Sequence, residues 1–140
     1  MLIQHTAIQL DSSITFTTRQ KRILIVEDDC DSSLFYKLTL KDAGFNVYVY
    51  NDPLEALSKF QPNFYDLLLI DIRMSSLNGF KLFQKIRKKD QKAKVCFMTA
   101  FELYYEAMVE KYKSLRDICF IRKPITSKDL IERVQKALSE

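Results

Sequence analysis

Three kinds of side chain stand out here for the chemistry their types allow. There is a run of three carboxylates, Glu27-Asp28-Asp29; a fourth carboxylate, Asp71, closing an aliphatic run; a hydroxyl, Thr99, closing another; and an ammonium, Lys123, followed by Pro124. Carboxylates about 4 Å apart repel by roughly 4 kcal/mol at an effective dielectric near 20, so several of them meet only where a cation offsets the cost. Oxygen-only donors select a hard ion, and a small acidic pocket that also meets phosphate suits Mg²⁺ with several waters retained. Lys123 offers mobile positive charge to phosphoryl oxygens, and the Thr99 hydroxyl can donate to another. As a set they describe phosphoryl transfer to a carboxylate, with Asp71 as nucleophile and metal and lysine neutralising the transferred group.

For that chemistry the chain must bring positions nearly a hundred residues apart to one place. From Lys21 onward, short apolar or β-branched runs alternate with segments of helical spacing. Five strands are predicted: Ile23 to Glu27, Asn46 to Tyr50, Asp66 to Asp71, Lys94 to Thr99 and Ile118 to Arg122. Helices are predicted from about Ser32 to Ala43, with Gly44 as a left-handed stop; from Asn51-Asp52-Pro53 to before Pro62; after Gly79; over about 101–112; and from Thr126-Ser127, with Asp129 in the first turn. Strands apolar on both faces alternating with helices imply an α/β doubly wound five-stranded parallel sheet, order 2-1-3-4-5, with helices on both faces. In such a sheet ligands sit at the carboxyl edge of the strands, where Glu27, Asp28, Asp29, Asp71, Thr99 and Lys123 all fall.

The bulk properties bound the alternatives. A length of 140 residues suits one domain, and 47% hydrophobic residues with 2 Gly and 3 Pro suit a packed core. A net charge of +4 does not reach the concentrated field of a nucleic-acid binder. The basic run Lys81, Lys85, Arg87, Lys88, Lys89, Lys92, Lys94 reads as a solvated helix face, since no aromatic platform accompanies it. Cys30, Cys96 and Cys119 lack disulfide-framework or zinc-ligand spacing; Cys96 and Cys119 read as small buried hydrophobes. Asp29, Asp31 and Ser32 read as caps of the first helix. No apolar run reaches the ~20 residues needed to span a bilayer, and no signal peptide opens the chain, so a cytoplasmic location is expected. Residues 1–20, including His5, read as a flexible tail, and 21–140 as the domain.

The strings ILIVEDD, DIRMSSLNG, MTA and FIRKP, in this order and at these separations, resemble the receiver domain of two-component response regulators over residues 21–139. The resemblance implies a flavodoxin-like receiver fold of the stand-alone, chemotaxis-regulator kind, in which Asp71 accepts phosphoryl from a histidine kinase or phosphotransfer protein. It implies Asp28 as a direct Mg²⁺ ligand, Glu27 acting largely through water, and the Arg73 backbone carbonyl completing the protein ligands. It further implies that Thr99 and Lys123 contact the phosphoryl group, that Thr99 and Phe120 are the switch pair, and that the Lys123-Pro124 bond is cis.

Three departures from the family pattern bear on mechanism. Ser75 stands where proline is usual, Phe120 stands where tyrosine is common, and Arg73 and Phe101 occupy the positions that tune phosphoryl lifetime, predicting a long-lived acyl phosphate. Output is expected through the surface of the fourth helix, fifth strand and fifth helix. There Tyr104, Tyr105, Met108 and Tyr112 suggest a partner face or a homodimer contact. With no output domain in the chain, a downstream protein is the expected target, without direct nucleic-acid or membrane contact. Turnover of an external substrate is disfavoured because Arg73, not an acid, lies two residues past Asp71, so the expected chemistry is self-phosphorylation and autodephosphorylation only. The competing reading is a phosphorylation-independent interaction module on the same fold.

Overall fold

The computed structural model describes residues 7–11, 14–17, 19–100, 107, 110 and 118–140. An antiparallel ribbon of β1 (Ala7–Asp11) and β2 (Ile14–Thr17) precedes a five-stranded parallel sheet. The sheet elements follow as β3 (Arg22–Val26), α1 (Cys30–Asp42), β4 (Asn46–Tyr50), α2 (Pro53–Ser58), β5 (Leu67–Asp71), α3 (Gly79–Lys89), β6 (Val95–Thr99), β7 (Cys119–Arg122) and α4 (Ser127–Ser139). Sheet order is β4-β3-β5-β6-β7, the expected 2-1-3-4-5 counted from β3.

Periodicity accounts for the layers. Every residue of β5 and β6 is buried, so their alternate side chains feed two cores. On one face Leu24, Leu68, Ile70 and Phe97 pack against Ala56 of α2 and Phe80, Phe83 and Ile86 of α3. On the other, Ile23, Ile25, Leu67, Leu69 and Met98 pack against Tyr36 and Leu40 of α1 and Leu130 and Val134 of α4. Burying each large aliphatic side chain contributes about 1.5–3 kcal/mol, so the four preceding Asp71 in β5 can carry an unfavourable carboxylate at its end.

The helix boundaries follow their caps. Asp29 accepts from the Ser32 amide at the start of α1, as its reading as a cap predicts, while Asp52, Asn78 and Thr126 serve α2, α3 and α4. Gly44, at φ +100°, takes the left-handed stop after α1. Lys81, Lys85 and Lys88 lie on the exposed face of α3, whereas Arg87 donates to the Ala93 carbonyl at 2.9 Å and Lys89 to the Leu57 carbonyl at 2.9 Å. Among the described residues no helix is long and apolar enough to cross a membrane.

Within the segment read as a tail, Ala7–Asp11 and Ile14–Thr17 form the β1–β2 ribbon, and Arg19 makes a two-point ion pair with Asp66 at 3.0 Å on each arm. Asp66 also accepts the Arg22 amide at 2.7 Å, so ordered contacts to the sheet begin before Lys21. Cys96 and Cys119, read as separate hydrophobes, are register partners on β6 and β7 joined in a disulfide. Spacing along the chain hides this pair because parallel pairing, not sequence proximity, brings the two positions together. The expected helix over 101–112, with Phe101, Tyr104, Tyr105, Met108 and Tyr112, lies outside the described residues apart from isolated positions, as does His5.

Candidate functional site

Parallel strands end in register at one edge, so each contributes its last or following residue to a common rim. Glu27 and Asp28 follow β3, Asp71 ends β5, Thr99 ends β6, and Lys123 follows β7. One carboxylate oxygen from each of Glu27, Asp28 and Asp71 lies within 4.8 Å of the others. Lys123 Nζ donates to Glu27 Oε1 at 2.5 Å and stands 3.4 Å from Asp71 Oδ1. Thr99 is buried at the same edge, and its carbonyl accepts the Lys123 amide at 2.7 Å, joining β6 to the lysine. The Lys123–Pro124 peptide is cis.

The electrostatics follow from this crowding. Burial pushes the Asp71 carboxyl up, Lys123 pulls it back in part, and Glu27 raises it further, to about 7. For Lys123 burial opposes the charge, but its hydrogen bond to Glu27 and the attraction of Asp71 prevail, and its pKa is raised. The Tyr36 ring lies under the ammonium, 5.9 Å from ring centre to Nζ, and its own phenol is raised by burial. Three carboxylates against one ammonium leave an anionic rim of oxygen donors, a donor set suited to a small hard divalent cation.

Supporting groups appear that sequence reading misses. Asn51, one residue past β4, donates to the Glu27 carbonyl at 2.7 Å and to Ser33 Oγ at 2.9 Å, fixing the backbone that carries the acids. The signal exists in the sequence, since Asn51 too follows a strand at the rim, but its type and the proline nearby point to helix capping instead. Ser75 donates its backbone N–H to Asp28 at 3.0 Å, a bond that the usual proline could not make. A Cβ on Gly79 would come within 3 Å of the Asp71 carbonyl oxygen, so only glycine lets α3 start this close to β5. Gly79 N–H also closes the loop by donating to the Ile72 carbonyl at 2.8 Å.

Of the remaining expected residues, Arg73 lies exposed on the loop leaving β5. Phe120 is buried, its ring centre 5.7 Å from that of Phe97 and 6.3 Å from that of Phe80, on the face shared with α2 and α3.

Comparison with known proteins adds an independent line. Residues 23–135 match the family model of the response regulator receiver domain. The chain is 31% identical over 118 residues to the response regulator receiver protein CpdR of Brucella abortus, covering 84% of this chain and 97% of that one. It is 30% identical to the response regulator ArlR of Staphylococcus aureus, where the match covers 84% of this chain but 52% of the relative; the chain thus spans about half the length of that protein. Among solved structures it superimposes on the receiver domain of HemR from Leptospira biflexa (TM-score 0.76, 30% identity, 86% of this chain and 96% of that one). It also superimposes on the response regulator TrrA of Thermotoga maritima in complex with Mg²⁺–BeF (TM-score 0.69, 29% identity, 84% and 99%).

Proposed function

The chain belongs to the response regulator receiver domain family, and from that premise we propose that it is a phosphorylation switch whose acceptor is Asp71. The carrying observation is the clustering of Glu27, Asp28 and Asp71 around a common point with Lys123 Nζ beside it. Asp28 and Asp71, with the Arg73 backbone carbonyl and Glu27 through water, would hold Mg²⁺, which neutralises charge on the incoming phosphoryl group. The structural relative in complex with Mg²⁺–BeF supports this choice of ion.

The chain's own residues do the rest. Asp71 presents a carboxylate oxygen as nucleophile, and the phosphorus–oxygen or phosphorus–nitrogen bond to the donor breaks as the new acyl phosphate bond forms. Lys123 and the Thr99 hydroxyl engage phosphoryl oxygens; two such charge-assisted hydrogen bonds are worth about 3–6 kcal/mol. A two-state element needs about 5.5 kcal/mol to pass from 1:99 to 99:1, so these contacts are of the right size to throw the switch. The response is a movement of Thr99 toward the phosphoryl group, accommodated by Phe120 and transmitted to the surface of β7 and α4 and the 101–112 segment. A histidine kinase or phosphotransfer protein is the donor, docking on the exposed Leu34, Phe35 and Leu38 of α1 beside the rim, and a downstream protein reads the altered face.

Incubation with acetyl phosphate and Mg²⁺ followed by intact-mass measurement tests this. The wild type gains one phosphoryl group, Asp71→Asn gains none, and Lys123→Met forms the adduct but loses the downstream amide-shift response. An unmodified wild type would favour the phosphorylation-independent interaction module instead.

A further inference from the structure

Beyond the phosphorylation rim, β6 and β7 hold a second reactive constellation. Cys96 and Cys119 are directly opposed in the parallel register, with Cα atoms 4.4 Å apart. Their environments differ sharply: Cys96 is fully buried, whereas Cys119 is half-buried at the start of its strand. The Arg133 guanidinium reaches from α4 to within 3.3 Å of Cys119 Sγ while donating to the Phe120 carbonyl at 2.8 Å. An adjacent guanidinium favours thiolate over thiol, and thiolate is the form that reacts with oxidants. Cys30, by contrast, is exposed and outside the disulfide.

We propose that Cys96 and Cys119 form a reversible thiol–disulfide modification site, in which Cys119 is the peroxide-reacting thiol, Cys96 the resolving thiol, and Arg133 the positioning residue. The Cys119 thiolate attacks hydrogen peroxide, giving a sulfenic acid and hydroxide. The Cys96 sulfur then displaces the sulfenic hydroxyl, its proton leaving with that oxygen as water; the balance is two thiols and one peroxide to one disulfide and two waters. In the reverse direction a dithiol attacks the accessible Cys119 sulfur, releases the Cys96 thiol, and closes its own disulfide. The cross-link lies three residues before Thr99 and beside Phe120, so it ties together the two strands that carry them.

The test uses the full chain with Cys30→Ser, so that only the pair responds. After reduction and stoichiometric hydrogen peroxide, intact mass falls by two hydrogens, both thiols become inert to iodoacetamide, and a dithiol restores them in the folded protein. Hydrogen exchange of β6 and β7 amides slows in the oxidised form. Adding Arg133→Gln slows oxidation near neutral pH by about tenfold, because the guanidinium no longer favours the thiolate, and moves the rate profile to higher pH, whereas Arg133→Lys largely rescues it. Failure to form the disulfide overturns the proposal, as does a disulfide that a dithiol opens only after denaturation. An Arg133→Gln rate and pH profile matching the parent would overturn the role given to the guanidinium. None of these readouts requires Asp71 to be phosphorylated.

Discussion

Asp71→Asn offers the sharpest check on the electrostatics of the rim. Burial and Glu27 push the Asp71 carboxyl from its ordinary value of 3.8 to about 7 against the pull of Lys123. Because the folded-state pKa lies above the unfolded one, the contribution of this group is fully present below about pH 4 and is lost as pH rises through about 7. A three-unit displacement corresponds to at most about 4 kcal/mol at 1.36 kcal/mol per unit. Coupling to Glu27 and Lys123 and partial access to water reduce the expected loss to about 1–2 kcal/mol between about pH 5.5 and about pH 8.5. The amide that replaces the carboxyl carries no such charge, so in chelator the variant should gain on the wild type across this interval, other titrations cancelling in the difference. With a urea slope of about 1.5 kcal/mol/M, the gap between midpoints should widen by about 1 M. Millimolar Mg²⁺ should close the gap by binding the native wild type alone. A midpoint difference that stays constant from acid to alkaline pH would refute the assignment of Asp71 as a strained, buried carboxyl.

Four further outcomes follow from particular contacts. Gly79→Ala forces a Cβ against the Asp71 carbonyl, and chemical denaturation should show a loss of about 2–4 kcal/mol. Asn51→Ala removes the donor to the Glu27 carbonyl; stability should fall by about 1–2 kcal/mol and Mg²⁺ titration should show weaker binding with the fold retained by circular dichroism. Arg73 is exposed on the loop leaving β5; on the expectation that its length screens the acyl phosphate from water, Arg73→Asn should accelerate hydrolysis, followed by loss of the phosphoryl mass. Leu38→Asp places charge on the exposed apolar face of α1; phosphorylation by a histidine kinase should slow at least tenfold, the scale of about 1.4 kcal/mol of lost docking, while labelling by acetyl phosphate stays unchanged.

How much of this is legible in the sequence depends on range. Alternation of apolar strands and capped helices is a local signal, and it locates all five strands and their order, because a segment such as Leu67 to Ile70, apolar on both faces, belongs only in the middle of a parallel sheet. The rim residues are legible for the same reason: strand ends converge whatever the details of packing. What escapes a reading of the sequence is pairwise and non-local. The Cys96–Cys119 opposition follows from a register that no motif encodes. Ser75 reads in the sequence as a missing proline, whereas its contribution is the backbone N–H directed at Asp28. The β1–β2 ribbon has an alternation too weak to separate from a tail, and Arg19 acquires its role only once Asp66 is seen at the opposite strand's entry.

In the proposed switch, the unequal grip of Lys123 lets one rim be both stable and reactive. Its ammonium is 2.5 Å from Glu27 but 3.4 Å from Asp71. A close ion pair with Asp71 would lower its pKa and occupy the oxygen that must attack phosphorus, trading nucleophilicity for stability. By taking Glu27 as its main partner, the lysine satisfies the most deeply buried acid of the rim while its charge stays within reach of a group arriving on Asp71. Glu27 in turn is held by Asn51 through its carbonyl and by the Asp29 amide at 3.1 Å through Oε2, so the anchor for the lysine is fixed by backbone, not by the reacting carboxylate. In the proposed switch, phosphorylation would redirect the Lys123 ammonium together with the Thr99 hydroxyl and the Phe120 ring, side-chain movements that require no strand of the sheet to break a ladder hydrogen bond.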